Sequence, residues 1–246
     1  MVEAARKYNR AVQGGTQRRS SPRFQRAMGI LHSGGIGDIY MARWLFTGPR
    51  DSIGFHLPEN PPASLHWDLW LGPASKQPFH RNLAHYNWHW FWEFGNGEMG
   101  NNGVHSMDVM LWGLGKGIPS KVRSSGGRFG YKDQAETPNT QIATFEYEDR
   151  TQILCEVRGL YSNEPTGMHF YGSKGAMHLG PQGQCRIFMG RNEKPEPELP
   201  HLDEIQERAH FDNFIAAVRT GRRETLNCDI EIAEQSALMS HLANIS

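Results

Sequence analysis

Residues 140–161 read TQIATFEYEDRTQILCEVRGLY. Two runs rich in β-branched and aromatic residues meet at the charged turn EDR (148–150), which predicts a pair of antiparallel strands. The same texture recurs on both sides, in KVRSSGGRF (121–129), GMHFYGS (167–173), GAMHLG (175–180) and QCRIFMG (184–190), with GSKG and GPQG as turns. Further upstream, DIYMARWLF (38–46) predicts one more strand. Helical signals surround this block. Ser20 or Ser21 can cap a helix that carries Pro22 in its first turn and Phe24, Ala27, Met28 and Leu31 on one face, running to about His32. NNGVHSMDVMLWGLG (101–115) predicts a helix closing on Gly115, and two helices finish the chain. The first of these has Phe211, Phe214, Ile215 and Val218 at helical spacing and stops at Gly221; the second starts near Asp229, with Leu238, Leu242 and Ile245 on one side. The pattern is α+β, with helices on a face of an antiparallel sheet. Residues 1–9 read as a helix with Val2, Ala5 and Tyr8 at spacings of three, followed by the extended piece AVQGGT (11–16).

The chain has 246 residues, and its 26 Lys and Arg balance 26 Asp and Glu, so it lacks the basic field that nucleic acid would require. No apolar run approaches the roughly 20 residues of a membrane span, and the mean hydropathy is −0.61. The start, MVEAARKYNR, is charged where a secretory signal would be apolar, and Cys155, Cys185 and Cys228 show no metal spacing. The expectation is a soluble, cytoplasmic protein.

Five of seven tryptophans fall between Trp67 and Trp92, beside several histidines. In HRNLAHYNWHWFWEFGNGEMGNNGVH (80–105), His85, His89 and His105 with Glu93 or Glu98 suggest metal ligands, but the glutamate that follows the first histidine in zincins is missing, and no metal is expected. At 100° per residue, Asn101, His105, Asp108 and Trp112 share a stripe, where a histidine can act as general acid or base; a satisfied histidine on a packed face is the plainer reading. Asp68, Glu93, Glu98 and Asp108 offer pairs for glycoside cleavage, which needs carboxylates about 5–9.5 Å apart. Trp67, Trp70 and Trp88, with Arg81, His85 and His89, are candidates for holding a sugar, although tryptophans more often fill a core. GGIGDI (34–39) and GSKGAM (172–177) match no dinucleotide or P-loop fingerprint.

Six strings taken in order resemble the glucose-fructose oxidoreductase, inositol dehydrogenase and rhizopine-catabolism (Gfo/Idh/MocA) family: MVEAARKYNRAVQGGTQRRSSP, GGIGDIYMARWLFTG, LHWDLWLGPA, WHWFWEFGNGEMGNNGVHSMDVMLWGLG, ETPNTQIATFEYED and GSKGAMHLG. The resemblance implies a Rossmann domain for NAD(P) followed by a domain with a large open, mainly antiparallel sheet that binds sugars and pairs subunits. It further implies that residues 1–35 are a remnant of the Rossmann domain, that 36–246 are the substrate and dimerisation domain, and that the chain stops before its relatives do. The glycine motif and the EKP lysine have no counterpart, so no NAD(P) binding by this chain alone is expected, although full-length relatives use it. The family's Asp-x-x-x-His motif falls on Asn101 and His105. The histidine survives and the carboxylate is an amide, which counts against the usual alcohol oxidation, although branches with GNNGVH-like strings manage without the carboxylate. Gln17, Arg18 and Arg19 match a strand end near nicotinamide and substrate, and Trp67, Asp68 and Trp70 match a segment near cofactor and sugar.

Three functions follow from these residues. One is the sugar-directed domain of an oxidoreductase; another is an NAD-independent glycoside hydrolase or lyase built on His105 and nearby carboxylates. The last is a non-catalytic carbohydrate-binding or dimerisation module. In each, the partners are a small sugar or glycoside and a further copy of the chain, as a homodimer or higher oligomer.

Overall fold

The computed structural model describes residues 1–190 and 206–246. Seven strands form one sheet: β1 (Ile39–Thr47), β2 (Lys121–Gly127), β3 (Thr140–Glu146), β4 (Gln152–Arg158), β5 (Gly167–Gly172), β6 (Gly175–Leu179) and β7 (Cys185–Met189). Their order is β2-β3-β4-β1-β5-β6-β7. Two antiparallel meanders therefore flank β1, which runs parallel to β4 and antiparallel to β5. Trp44 of β1 sits opposite Cys155 on one side and Met168 on the other. The sheet is large, open and mainly antiparallel, as the resemblance implies.

Alternation along the strands decides which face is covered. Ala143 and Phe145, Ile153, Cys155 and Val157, Met168 and Phe170, and Met177 and Leu179 all join one core with helix residues. The helices are α1 (Val2–Lys7), α2 (Pro22–His32), α3 (Trp67–Leu71), α4 (Gly97–Asn101), α5 (Gly103–Leu114), α6 (Gln206–Thr220) and α7 (Ile230–Ile245). Phe24, Ala27, Met28 and Leu31 of α2, Met107, Met110 and Leu111 of α5, and Met239 and Ala243 of α7 enter that core. Residues on both sides of the 35/36 boundary thus share it.

Local chemistry places these elements well. The Ser21 hydroxyl accepts from the Phe24 amide and caps α2, with Pro22 in the first turn. Gly115 closes α5 in a left-handed conformation, φ 63°. Within α5, Gly113 makes room for a strand residue: a Cβ there would lie 2.4 Å from Phe170 Cε1 and 3.0 Å from Leu31 Cδ1. Gly113→Ala is expected to cost about 1–2 kcal/mol, because overpacking exceeds the helix propensity gained. A urea midpoint equal to or above that of the parent would refute this.

Three expectations need correction. AVQGGT forms a single antiparallel bridge, Gln13 with Asp229, rather than a strand, because only residues 228–230 lie alongside it. On α6 the apolar stripe faces outward: Phe211 and Val218 are exposed, at 66% and 53%, while Ala217 and His210 are buried. Periodicity finds the stripe but not the direction in which it points. On α7 the buried residues are Ile230, Ser236, Met239, Ser240 and Ala243, and Ile245 is exposed. Small side chains allow α7 to lie close against α5.

Candidate functional site

The helix expected from Asn101 is broken at Asn102, so Asn101 ends α4 while His105, Asp108 and Trp112 ride on α5. A 3-10 turn, Gln17–Ser20, lies against α5. Its consecutive arginines reach different residues of that helix. Arg18 Nη1 donates to Ser106 Oγ at 2.9 Å, and Arg19 Nε donates to both Asp108 oxygens at 2.8 and 2.9 Å. Asp108 has 0% exposure and also accepts from Ser236 Oγ of α7 at 2.9 Å. Burial pushes its pKa up, against the pull of Arg19 and the hydroxyls. Arg19 in turn lies over the Trp112 ring, 5.0 Å from its centroid. Asp108 is therefore the clamp that joins three elements, and it is too enclosed to serve as an acid toward substrate.

His105 sits beside Arg18 and is half-buried. Its Nδ1 is buried with no hydrogen-bond partner among the described residues. Burial first, and the Arg18 charge second, hold its pKa below the ordinary histidine value, so the ring is neutral at pH 7 and can accept a proton. Burial also pushes Arg18 down to about 10. Its guanidinium lies 5.7 Å from the centre of the Phe24 ring.

The other carboxylates proposed for the site are engaged elsewhere. Glu98 is 2% exposed, accepting from Arg50 Nε at 2.6 Å and from Asn102 Nδ2 at 2.6 Å, with Asn101 Nδ2 at 3.5 Å. Arg50 also lies over the Trp90 ring. Asp68 is exposed beside Lys76, and Glu93 accepts from the Ser75 amide. None of these groups stands as the free carboxylate that glycoside cleavage needs.

The aromatic residues divide into two groups. Trp67 stacks on Trp70 at 4.8 Å and meets Phe79 edge-on, while Trp70 touches Phe94 and Trp67 Nε1 donates to the Gln77 carbonyl. They hold a long loop together. Trp88 and His89 are half-buried and stack at 3.8 Å, and His89 Nδ1 donates to the Tyr86 carbonyl. His85 is exposed, and Arg81 is paired with Glu59. His85 lies outside any helix and His89 in a 3-10 turn, so HxxxH does not align two imidazoles as a helix would. Among the described residues no group of three or more His, Cys, Asp or Glu is placed to hold a metal ion.

Two anchors escaped the sequence reading. Arg50 lies 48 positions from Glu98 with no local pattern joining them. His210 is held at both ring nitrogens: Nε2 donates to the Gly14 carbonyl at 2.8 Å, and Nδ1 accepts from Ser20 Oγ, which itself accepts from Asn227 Nδ2. Beside it lies a cavity of about 380 Å³ lined by Gln13, Gly14, Gly15, Gln17, His210, Phe211 and Phe214.

A dinucleotide site can be tested on the backbone amides. In GGIGDI, the amides of Gly34, Gly35 and Gly37 donate to carbonyls of residues 31, 30 and 34, and Asp38 donates to Ser173 Oγ. In GSKGAM, the amides of Ser173 and Lys174 donate to Asp38 and Ile36. These donors are spent holding two turns together, so neither loop cradles a pyrophosphate. Arg19 is likewise bound to Asp108. These two loops therefore do not fit the pyrophosphate of NAD(P).

A family model described as the C-terminal alpha/beta domain of the Gfo/Idh/MocA oxidoreductase family matches residues 47–245. The chain belongs to that family. No curated protein matches it significantly by sequence. Solved Gfo/Idh/MocA structures share its fold. UDP-N-acetylglucosamine 3-dehydrogenase GnnA from Acidithiobacillus ferrooxidans aligns with a TM-score of 0.65 and 13% identity, over 99% of this chain and 64% of its own. The WlbA dehydrogenase from Bordetella pertussis, in complex with NADH and UDP-GlcNAcA, gives 0.66 and 17%, over 98% and 63%. Aldose-aldose oxidoreductase from Caulobacter crescentus, complexed with glycerol, gives 0.67 and 14%, over 98% and 63%. The chain thus spans less than two thirds of the length of each of these family members. No helix among the described residues is long and apolar enough to cross a membrane.

Proposed function

We propose that this chain is the sugar-directed part of a Gfo/Idh/MocA oxidoreductase, with His105 taking the hydroxyl proton. The observation that carries this reading is the neutral, half-buried imidazole of His105 on α5, beside the guanidinium of Arg18. Oxidation of a carbinol releases a hydride, which would pass to the NAD(P) held by the family's dinucleotide-binding domain, and a proton, which a histidine with a depressed pKa is suited to take. Arg18 disfavours a protonated ring before substrate arrives. Asn101, which lies within reach of Glu98, cannot share that proton as a carboxylate would. Trp88, stacked on His89, offers a face to the sugar ring. Residues 1–35 are read as belonging to a dinucleotide-binding domain, and 36–246 as the substrate domain.

The sheet face opposite the helices suits pairing with a second copy of the chain. Three free buried cysteines agree with a reducing, cytoplasmic setting. No observation favours glycoside hydrolysis.

Ligand-observed NMR on the chain, using glucose, glucuronate and a UDP-hexose, tests the reading. The expected result is saturation transfer to sugar ring protons, reduced about tenfold in apparent affinity by Trp88→Ala and, for His105→Gln, lost only near the hydroxyl that the ring contacts. Absence of transfer to every sugar would overturn it.

A further inference from the structure

Arg18 and Arg19 are adjacent cations with unequal surroundings. Arg19 is neutralised by Asp108, and the oxygens of Asp108 are taken up by Arg19 and Ser236. Arg18 has a neutral hydroxyl, Ser106 Oγ, and an aromatic ring, Phe24, and among the described residues no carboxylate forms an ion pair with it. Asp108 acts on it through space without bonding it, and Arg18 in turn lowers the pKa of His105 beside it. A half-buried guanidinium with no carboxylate in direct contact costs free energy that a bound anion would offset. Ser106 takes Nη1, and the Nε–Nη2 edge makes no hydrogen bond among the described residues, which leaves one side of a fork that matches a carboxylate.

We infer that Arg18 is an anion subsite beside His105, and that the substrate carries a carboxylate near the hydroxyl from which His105 takes its proton, as a sugar acid does. This rests on the sugar-directed reading above. Two consequences follow from the charge balance. A carboxylate on Arg18 cancels the field that depresses His105, so the basicity of His105 rises when such a substrate binds. A neutral sugar leaves the field in place, so the base is tuned by the ligand on which it acts.

The test uses the chain itself with sodium acetate, glucose, glucuronate and glucose 6-phosphate, following the titration of His105 and the dissociation constants by NMR. Acetate and glucuronate are expected to raise the His105 pKa while glucose does not, and glucuronate is expected to bind at least tenfold more tightly than glucose. Arg18→Gln removes both effects; Arg18→Lys, which keeps the charge and loses the fork, retains part of them and serves if the glutamine variant fails to fold. Equal binding of glucose and glucuronate, or a preference that survives Arg18→Gln, overturns the inference and leaves the sugar reading standing. An Arg18-dependent response to acetate, combined with no detectable binding of either glucose or glucuronate, overturns the sugar reading and keeps the anion subsite. Tighter binding of glucose 6-phosphate than of glucuronate overturns the carboxylate assignment.

Discussion

Asp108→Ala is expected to cost about 3–5 kcal/mol of folding stability, since removing one partner of a buried pair strands the other. The stranded group is Arg19, whose side chain is 12% exposed and whose Nε has no second acceptor within the site. Ser236 Oγ also loses an acceptor, keeping only the Ile232 carbonyl. The loss spreads because Asp108 binds the 3-10 turn and α7 to α5, so turn and helix loosen together. Urea denaturation followed by circular dichroism measures it, with the midpoint falling while the slope stays constant. Replacing both partners by apolar residues, Arg19→Met with Asp108→Leu, is expected to recover most of the stability, because the desolvation of two charges disappears with them. A double variant as unstable as Asp108→Ala would show that the clamp acts through shape rather than charge.

Acid is expected to destabilise the protein through His169, by roughly 2 kcal/mol between pH 6.5 and 4 after allowance for solvent screening. The ring lies on the uncovered face of the sheet, 4.1 Å from that of His178 and near Tyr171, Arg43 and Glu164. Burial, then His178 and Arg43, push its pKa down to about 4, and Glu164 offsets only part of this. Below pH 6.5 the unfolded chain binds a proton that the folded chain refuses until about pH 4, so stability is complete above pH 6.5 and falls as pH drops through that window. Buried or paired carboxylates such as Glu156, held by Arg43 and Arg158, lose stability in the same direction at lower pH. The difference between parent and His169→Gln isolates the histidine. The urea midpoint of the variant should change less between pH 6.5 and 4.5, and parallel curves for the two proteins would rule the effect out.

The strand block was legible because each run carries its own alternation and its own turn, and local pattern suffices for a meander. The placement of β1 between the meanders was not legible, since parallel pairing with β4 joins residues more than 100 positions apart. Ser21, Pro22 and Gly115 announced their helix ends through backbone chemistry that is local by nature. The site was harder to read. A helical stripe singled out both His105 and Asp108, but the surroundings of Asp108 depend on Arg19 and Ser236 arriving from distant segments. The pairing of Glu98 was hidden for the same reason, because Arg50 reaches it from outside any sequence window. The exposed stripe on α6 shows the limit of periodicity, which measures segregation and not direction.

The central position of β1 also bears on how the chain assembles. The ribosome emits MARWLF (41–46) before either neighbouring strand exists, and its partners, residues 152–158 and 167–172, arrive more than 100 residues later. Until then an apolar ribbon with two unpaired edges waits in the nascent polypeptide, the condition under which aggregation competes with folding. Chaperone dependence during synthesis is thus written into the strand order, and a circular permutant that begins after Leu114 and delivers β1 last would relieve it.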